Sequence, residues 1–238
     1  MDESIPVSLG QRLDLRSREL IALVGGGGKS TLLFRLGAEL AGQGKHVVLT
    51  TTTKMGRDQI TGEVSVCSTI ECAATPASGP VMLVAGGDSH KITGPSPRQL
   101  DALFAGGSVD YLIVEADGAH GRPLKAPALH EPVVPDTSTM VVIAVGVDAV
   151  GMALGDAAHR IEQAVEFSGL AVDHVLTSAD CATILMHPRG ALRTVPAGAR
   201  VIVAVTKVDA RNRSDAEDLA RVLTAHEPVD GVVLVEDR

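Results

Sequence analysis

Residues 20–31 read Leu20-Ile21-Ala22-Leu23-Val24-Gly25-Gly26-Gly27-Gly28-Lys29-Ser30-Thr31. A short apolar run ends in four glycines, and Leu32, Leu33, Leu36 and Leu40 then recur at helical spacing. Strand, glycine turn and helix in that order form a phosphate loop. Glycines allow the tight turn and aim successive N–H groups at a phosphate, and the helix N-terminus adds its dipole. Gly25, Gly26, Gly27, Gly28, Lys29, Ser30 and Thr31 are therefore the expected nucleotide contacts. Lys29 would reach the β and γ phosphates, and the Ser30 hydroxyl would hold magnesium. The common pattern has one more glycine, at the position taken here by Leu23. The turn is thus expected to come later and tighter. A glycine-rich turn carrying a merely solvated lysine is the bland alternative. It does not explain why strand, loop, Gly-Lys-Ser and helix coincide.

Outward from this loop, short β-branched runs alternate with helical patterns, the mark of βαβ units and a parallel sheet. Strands are expected at residues 47–49, 64–67, 81–85, 111–114, 140–145, 201–205 and 232–235. Helices are expected at 97–104, 159–168 and 179–187, and from Ser214 to about residue 223 with Glu217 completing a capping box. The predicted fold class is α/β, a doubly wound, mostly parallel sheet flanked by helices, P-loop NTPase-like. Residues 1–238 are read as a single nucleotide-binding domain, with 118–136 as a long functional loop.

Composition narrows the function. The 238 residues carry 21 Lys+Arg against 29 Asp+Glu, a formal charge of −8. With 45% hydrophobic and 21% charged residues the chain reads as globular rather than disordered. An acidic balance argues against a broad nucleic-acid or membrane footprint, while leaving room for a small anion at one site. Aromatics are 2% with no Trp, too few for a platform that stacks single-stranded bases. Cys67, Cys72 and Cys181 are too scattered for a disulfide framework, and residues 1–20 show neither a signal peptide nor a lipidation motif. A cytoplasmic protein without a membrane span is expected.

Other residues extend the chemistry. Glu115 closes the apolar run Tyr111-Leu112-Ile113-Val114, where an acid can hold magnesium. Asp117 follows as the candidate base, and the Gly118 N–H is placed to meet a γ-phosphate. Thr52, at the end of the second strand, is a further magnesium candidate, since strand ends at this edge face the ligand crevice. Thr206-Lys207-Val208-Asp209 follows another strand and resembles the base-reading Asn-Lys-x-Asp element of GTPases with Thr for Asn. Lys207 would cover the base and Asp209 would read it, with ATP or GTP as the nucleotide. Between these motifs, Arg122 and Lys125 supply cations for a transferred phosphate or an anionic second substrate. His120, His130 and Glu131 lack the spacing of a zinc site.

With these residues in view, the chain resembles the selenium-dependent hydroxylase accessory family, the YqeC-like or selenium cofactor biosynthesis proteins. The resemblance rests on Val24-Gly25-Gly26-Gly27-Gly28-Lys29-Ser30-Thr31, residues 50–55 and Val114-Glu115-Ala116-Asp117-Gly118-Ala119. It continues in Gly121-Arg122-Pro123-Leu124-Lys125-Ala126-Pro127, His130-Glu131-Pro132, His159-Arg160, residues 185–190 and Lys207-Val208-Asp209. Departures are Ser178-Ala179-Asp180, where a Thr-Pro-Glu-Asp-like stretch is expected, and Thr206 for Asn. The resemblance implies a P-loop protein that assists maturation of molybdenum hydroxylases or handles a selenium cofactor. The resulting expectation is a magnesium-dependent NTPase or phosphotransferase. One rival is a GTPase-type switch or chaperone that docks on a metalloenzyme client. A dinucleotide-binding Rossmann protein is another, but Ser30 stands in the last Gly place and threonines end the second strand.

Overall fold

The computed structural model describes residues 7–237. In chain order its first half runs α1 (Leu9–Arg12), β1 (Glu19–Gly25), α2 (Lys29–Gly42), β2 (Val47–Thr51), β3 (Lys54–Gly56), β4 (Ser65–Cys67), α3 (Ile70–Ala73), β5 (Val81–Leu83), β6 (Gly86–Gly87), β7 (Lys91–Thr93), α4 (Pro97–Ala105) and β8 (Tyr111–Glu115). It continues with β9 (Leu124–Lys125), β10 (Met140–Gly146), α5 (Leu154–Ala157), β11 (Ala158–His159), α6 (Ile161–Ser168), α7 (Ser178–Leu185), β12 (Arg200–Val208), α8 (Arg213–Thr224) and β13 (Gly231–Glu236).

Eight strands form one sheet in the order β13-β12-β10-β1-β8-β2-β5-β4, and every neighbouring pair is parallel. Strand β1 lies between β10 and β8, with Leu23 level with both Val142 and Glu115. The loop after β1 and the acid ending β8 therefore emerge side by side at the carboxyl edge, where open α/β sheets take their ligands. Alternation along β1 shows why the strand is wholly apolar. Ile21 and Leu23 pack with Leu32, Leu33, Leu36 and Leu40 of α2, whereas Ala22 and Val24 face the opposite layer with α6, α7 and α8. Helix α4 covers the β8, β2 and β5 end of that second face through Leu100, Leu103 and Phe104. Strands buried on both faces need no polar alternation.

The expected strands and helices occur, with revised ends. The helix expected from residue 159 begins at Ile161, because His159 pairs in β11 with Lys125 and Arg160 takes a left-handed φ of 69°. Helix α8 is preceded by Asn212 with no side-chain cap bond, so the Ser214–Glu217 capping box does not form and Ser214 lies inside the helix. The sequence reading missed a three-stranded antiparallel sheet, β3-β7-β6. Its strands have three residues or fewer, too few to show a period. Among the described residues, no helix is long and apolar enough to cross a membrane.

Candidate functional site

The glycine loop is pinned from three sides. Gly25 N–H donates to Asp117 Oδ2 at 3.1 Å, Gly26 N–H to the Ala144 carbonyl at 3.0 Å and Gly27 N–H to the Arg122 carbonyl at 2.9 Å. The Thr206 hydroxyl donates to the Gly27 carbonyl. Positive φ values begin at Gly25 (95°) and continue at Gly27 (70°) and Gly28 (92°), while Leu23 stays in the strand. The late, tight turn expected from Leu23 is what the backbone adopts. At Gly27 a side chain is excluded outright, since a Cβ would run into the Gly146 amide. Beyond this anchored stretch, the N–H groups of Gly28, Lys29, Ser30 and Thr31 have no acceptor among the described residues. The first helical bond of α2 is Leu32 N–H to the Gly28 carbonyl, at 2.9 Å.

These amides border a cavity of about 390 Å³ whose wall also holds Glu115, Gly118, Lys29, Lys54, Lys91, Arg122 and Lys207. Five cations thus face one carboxylate. Ser30 Oγ donates to Glu115 Oε2 at 2.8 Å, and Gln59 Nε2 approaches the same hydroxyl at 3.4 Å. Burial pushes the Glu115 carboxyl above its ordinary range, against the pull of Lys29 and the Ser30 hydrogen bond. A cation bridging Ser30 and Glu115 would supply the charge that burial leaves unbalanced.

The structure redirects four expectations. Asp117 is fully buried and does not line the cavity. Its carboxylate lies 3.1 Å from Lys29 Nζ and 3.3 Å from Lys125 Nζ, so it is an internal counter-ion rather than a base. Lys125 is itself buried: its ammonium donates to the Gly118 carbonyl and lies 3.1 Å from Glu131 Oε2, which leaves no face for a second substrate. The Thr52 hydroxyl is committed to the Val133 carbonyl at 2.7 Å, away from the cavity and from any shared cation. Asp209 caps its own turn, accepting from Arg211 N–H at 2.7 Å and Asn212 N–H at 3.1 Å, and lines neither this cavity nor its neighbour.

Lys207 sits at the junction. It pairs with Asp148 at 2.7 Å and borders both the 390 Å³ cavity and an adjoining one of about 310 Å³ formed with Leu32, Arg35, Val235 and Asp237. Arg122 lines the main cavity and donates to the Asp156 carbonyl. His120, also on the wall, stacks on His159 with ring centroids 4.8 Å apart. Burial first, and then the Lys125 charge, pull the His159 imidazole down to about 4. Sequence reasoning missed Lys91 and Gln59 as parts of this wall. Gly86-Gly87-Asp88 ahead of Lys91 was the available signal: the two glycines form β6, the chain turns at residues 88–90, and β7 then pairs with both β6 and β3.

Comparison with known proteins agrees with the family resemblance. The family model described as YqeC protein matches residues 21–162. The YqeC protein of Escherichia coli (strain K12) is 31% identical over 216 residues, which cover 87% of this chain and 84% of that protein. Among solved structures, the hydrogenase maturation factor HypB from Archaeoglobus fulgidus aligns over 95% of this chain and 85% of its own. Its sequence identity is 11% and its TM-score 0.39, a likeness too slight to bear on function.

Proposed function

The chain belongs to the YqeC family, and from that premise we propose that it binds a nucleoside triphosphate with magnesium and hydrolyses it or transfers its γ-phosphoryl group. The observation that carries this reading is the row of four unpaired amides, from Gly28 to Thr31, at the head of α2. Such a row attracts a phosphate chain through direct hydrogen bonds and the helix dipole together. Lys29 supports the reading in a second way. Its ammonium is folded back onto the Gly25 carbonyl and Asp117, a placement it can exchange for a phosphate oxygen without leaving the loop.

Ser30 and Glu115 would hold the magnesium, which when bound would supply positive charge to the phosphate tail. Among the described residues no three His, Cys, Asp or Glu side chains gather into a metal cluster. Two protein oxygen ligands suit magnesium, which would keep water and substrate phosphate oxygens in its shell. Gly118 offers its N–H to the γ-phosphate, and Lys207 covers the nucleoside, as ATP or GTP, where the two cavities meet. The setting we propose for this chemistry is the maturation of molybdenum hydroxylases or the handling of a selenium cofactor, in the cytoplasm, a reading that the family resemblance supports.

A second reading, a nucleotide-gated switch, is favoured by one feature. Lys29, Asp117, Lys125, Glu131 and Arg160 form a chain of alternating charges, each within 3.3 Å of the next, from the phosphate loop to the surface. Moving Lys29 to a phosphate leaves Asp117 to draw on Lys125, and Lys125 is the group that Glu131 shares.

Calorimetry with ATP and GTP, each with and without magnesium, tests the proposal. Wild type should bind more tightly with magnesium, and Lys29→Ala should weaken binding by about tenfold to a hundredfold, the worth of one charge-assisted hydrogen bond. Equal binding by both proteins would contradict it.

A further inference from the structure

The register of the small antiparallel sheet gives it two unlike faces. Lys54 pairs with Thr93, Met55 with Ile92 and Gly56 with Lys91, so Met55 and Ile92 point one way and Lys54 and Lys91 the other. The first face is sealed: Met55 is 2% exposed and Ile92 0%, both in the cluster that includes Leu32 and Leu33 of α2. The second face looks into the 390 Å³ cavity. Neither lysine has an ion-pair partner among the described residues, and neither has Arg122, in contrast to Lys29 with Asp117 and Lys207 with Asp148. Asp88, on the same hairpin, spends its carboxylate on the N–H groups of His90 and Lys91.

Three unmatched cations therefore remain on the wall after Lys29, the amide row and magnesium have met the nucleotide's own phosphates. Like charges gathered in a cleft raise the local potential and favour a bound anion. The wall is also short of a base. Glu115 is bound to Ser30 and Asp117 lies behind the surface between two lysines, which leaves His120 alone, stacked on His159 and with no hydrogen bond among the described residues to orient its ring nitrogens toward an acceptor. A hydroxyl or amine acceptor would need its proton removed, whereas an oxyanion would not.

Resting on the nucleotide reading above, we infer that the Lys54–Lys91 face, with Arg122, binds a second substrate whose accepting atom is an anionic oxygen of the carboxylate or phosphate class. The acceptor oxygen forms a bond to the γ-phosphorus, and the bond from that phosphorus to the β–γ bridging oxygen breaks. The nucleoside diphosphate leaves with the electron pair, and no proton has to move. The product is an acyl phosphate or a phosphoanhydride. The small sheet is the acceptor half of the site, built outside the strand-and-loop unit that grips the donor.

The test titrates inorganic phosphate, and in a parallel arm succinate, into protein saturated with magnesium and a non-hydrolysable triphosphate analogue, and into the free protein. Nucleotide-loaded wild type should bind one equivalent of one of the two anions, and the arm that responds names the acceptor class. Lys54→Gln/Lys91→Gln should weaken that binding by about tenfold or more, as expected for two lost charge contacts. The same variant should shift analogue affinity by less than about threefold, since exposed charges at a distance contribute little. Failure of loaded wild type to bind either anion would overturn the inference. So would an analogue affinity that falls as steeply as the anion's, because the lysines would then belong to the nucleotide's own tail. A wild type that binds no analogue overturns the nucleotide reading instead, and the free-protein arm then shows separately whether Lys54 and Lys91 hold an oxyanion.

Discussion

Asp117 sits between two lysines in a fully buried position, and its role follows from that placement. A carboxylate removed from water is costly unless paired, and once paired its removal strands the partners. Asp117→Ala should therefore lower unfolding free energy by about 3 kcal/mol or more, read from denaturant titration. Glu115 makes the opposite case. Its carboxyl is raised by burial, so the folded state holds the proton more tightly than the unfolded one. The associated stability is present below the ordinary carboxylate range and is lost as pH rises through the elevated folded value. Glu115→Gln should remove that slope and raise the melting temperature at neutral pH, while abolishing the gain in nucleotide affinity from magnesium. A variant that keeps the magnesium effect would remove Glu115 from the metal. Lys29, Ser30 and Glu115 were legible because motif spacing names them. Lys125 and Asp117 were misread because a charged residue in a Gly- and Pro-rich loop resembles surface until its burial is known.

At the scale of elements, the phosphate loop depends on close backbone approach. Gly27 has a φ of 70°, its carbonyl accepts from Thr206, and its Cα faces the Gly146 amide. Gly27→Ala should cost about 1–3 kcal/mol from the left-handed backbone alone, with further loss as β10 is pushed away, and should weaken nucleotide binding in parallel. Thermal melts and calorimetry on the same protein check both. The strands of the large sheet and the helix after the loop were readable from apolar runs and leucine spacing, because burial on both faces leaves a strong pattern. The three-stranded sheet was not. It owes its existence to Met55 and Ile92 filling a space beside α2, a tertiary fact with almost no local period. The lysines it carries were consequently invisible as a pair.

Over the whole molecule, a net charge of −8 coexists with a cavity where five cations face one acid. The summed charge argues against polyanions but hides how the fold sorts charge. Parallel strands bring β1, β8 and β10 to one edge, and the chain places its lysines there from segments as distant as Lys29, Lys91 and Lys207. That convergence yields the central claim, a backbone cradle at the head of α2 shaped for a phosphate chain. The most direct measurement is the set of backbone amide resonances as magnesium and inorganic tripolyphosphate are added to isotopically labelled protein, since no base is then present to confuse the readout. The account predicts that Gly28, Lys29, Ser30 and Thr31 move together and saturate, while Gly25, Gly26 and Gly27, already bonded within the protein, move less. Saturating shifts elsewhere with residues 28–31 unmoved would contradict it.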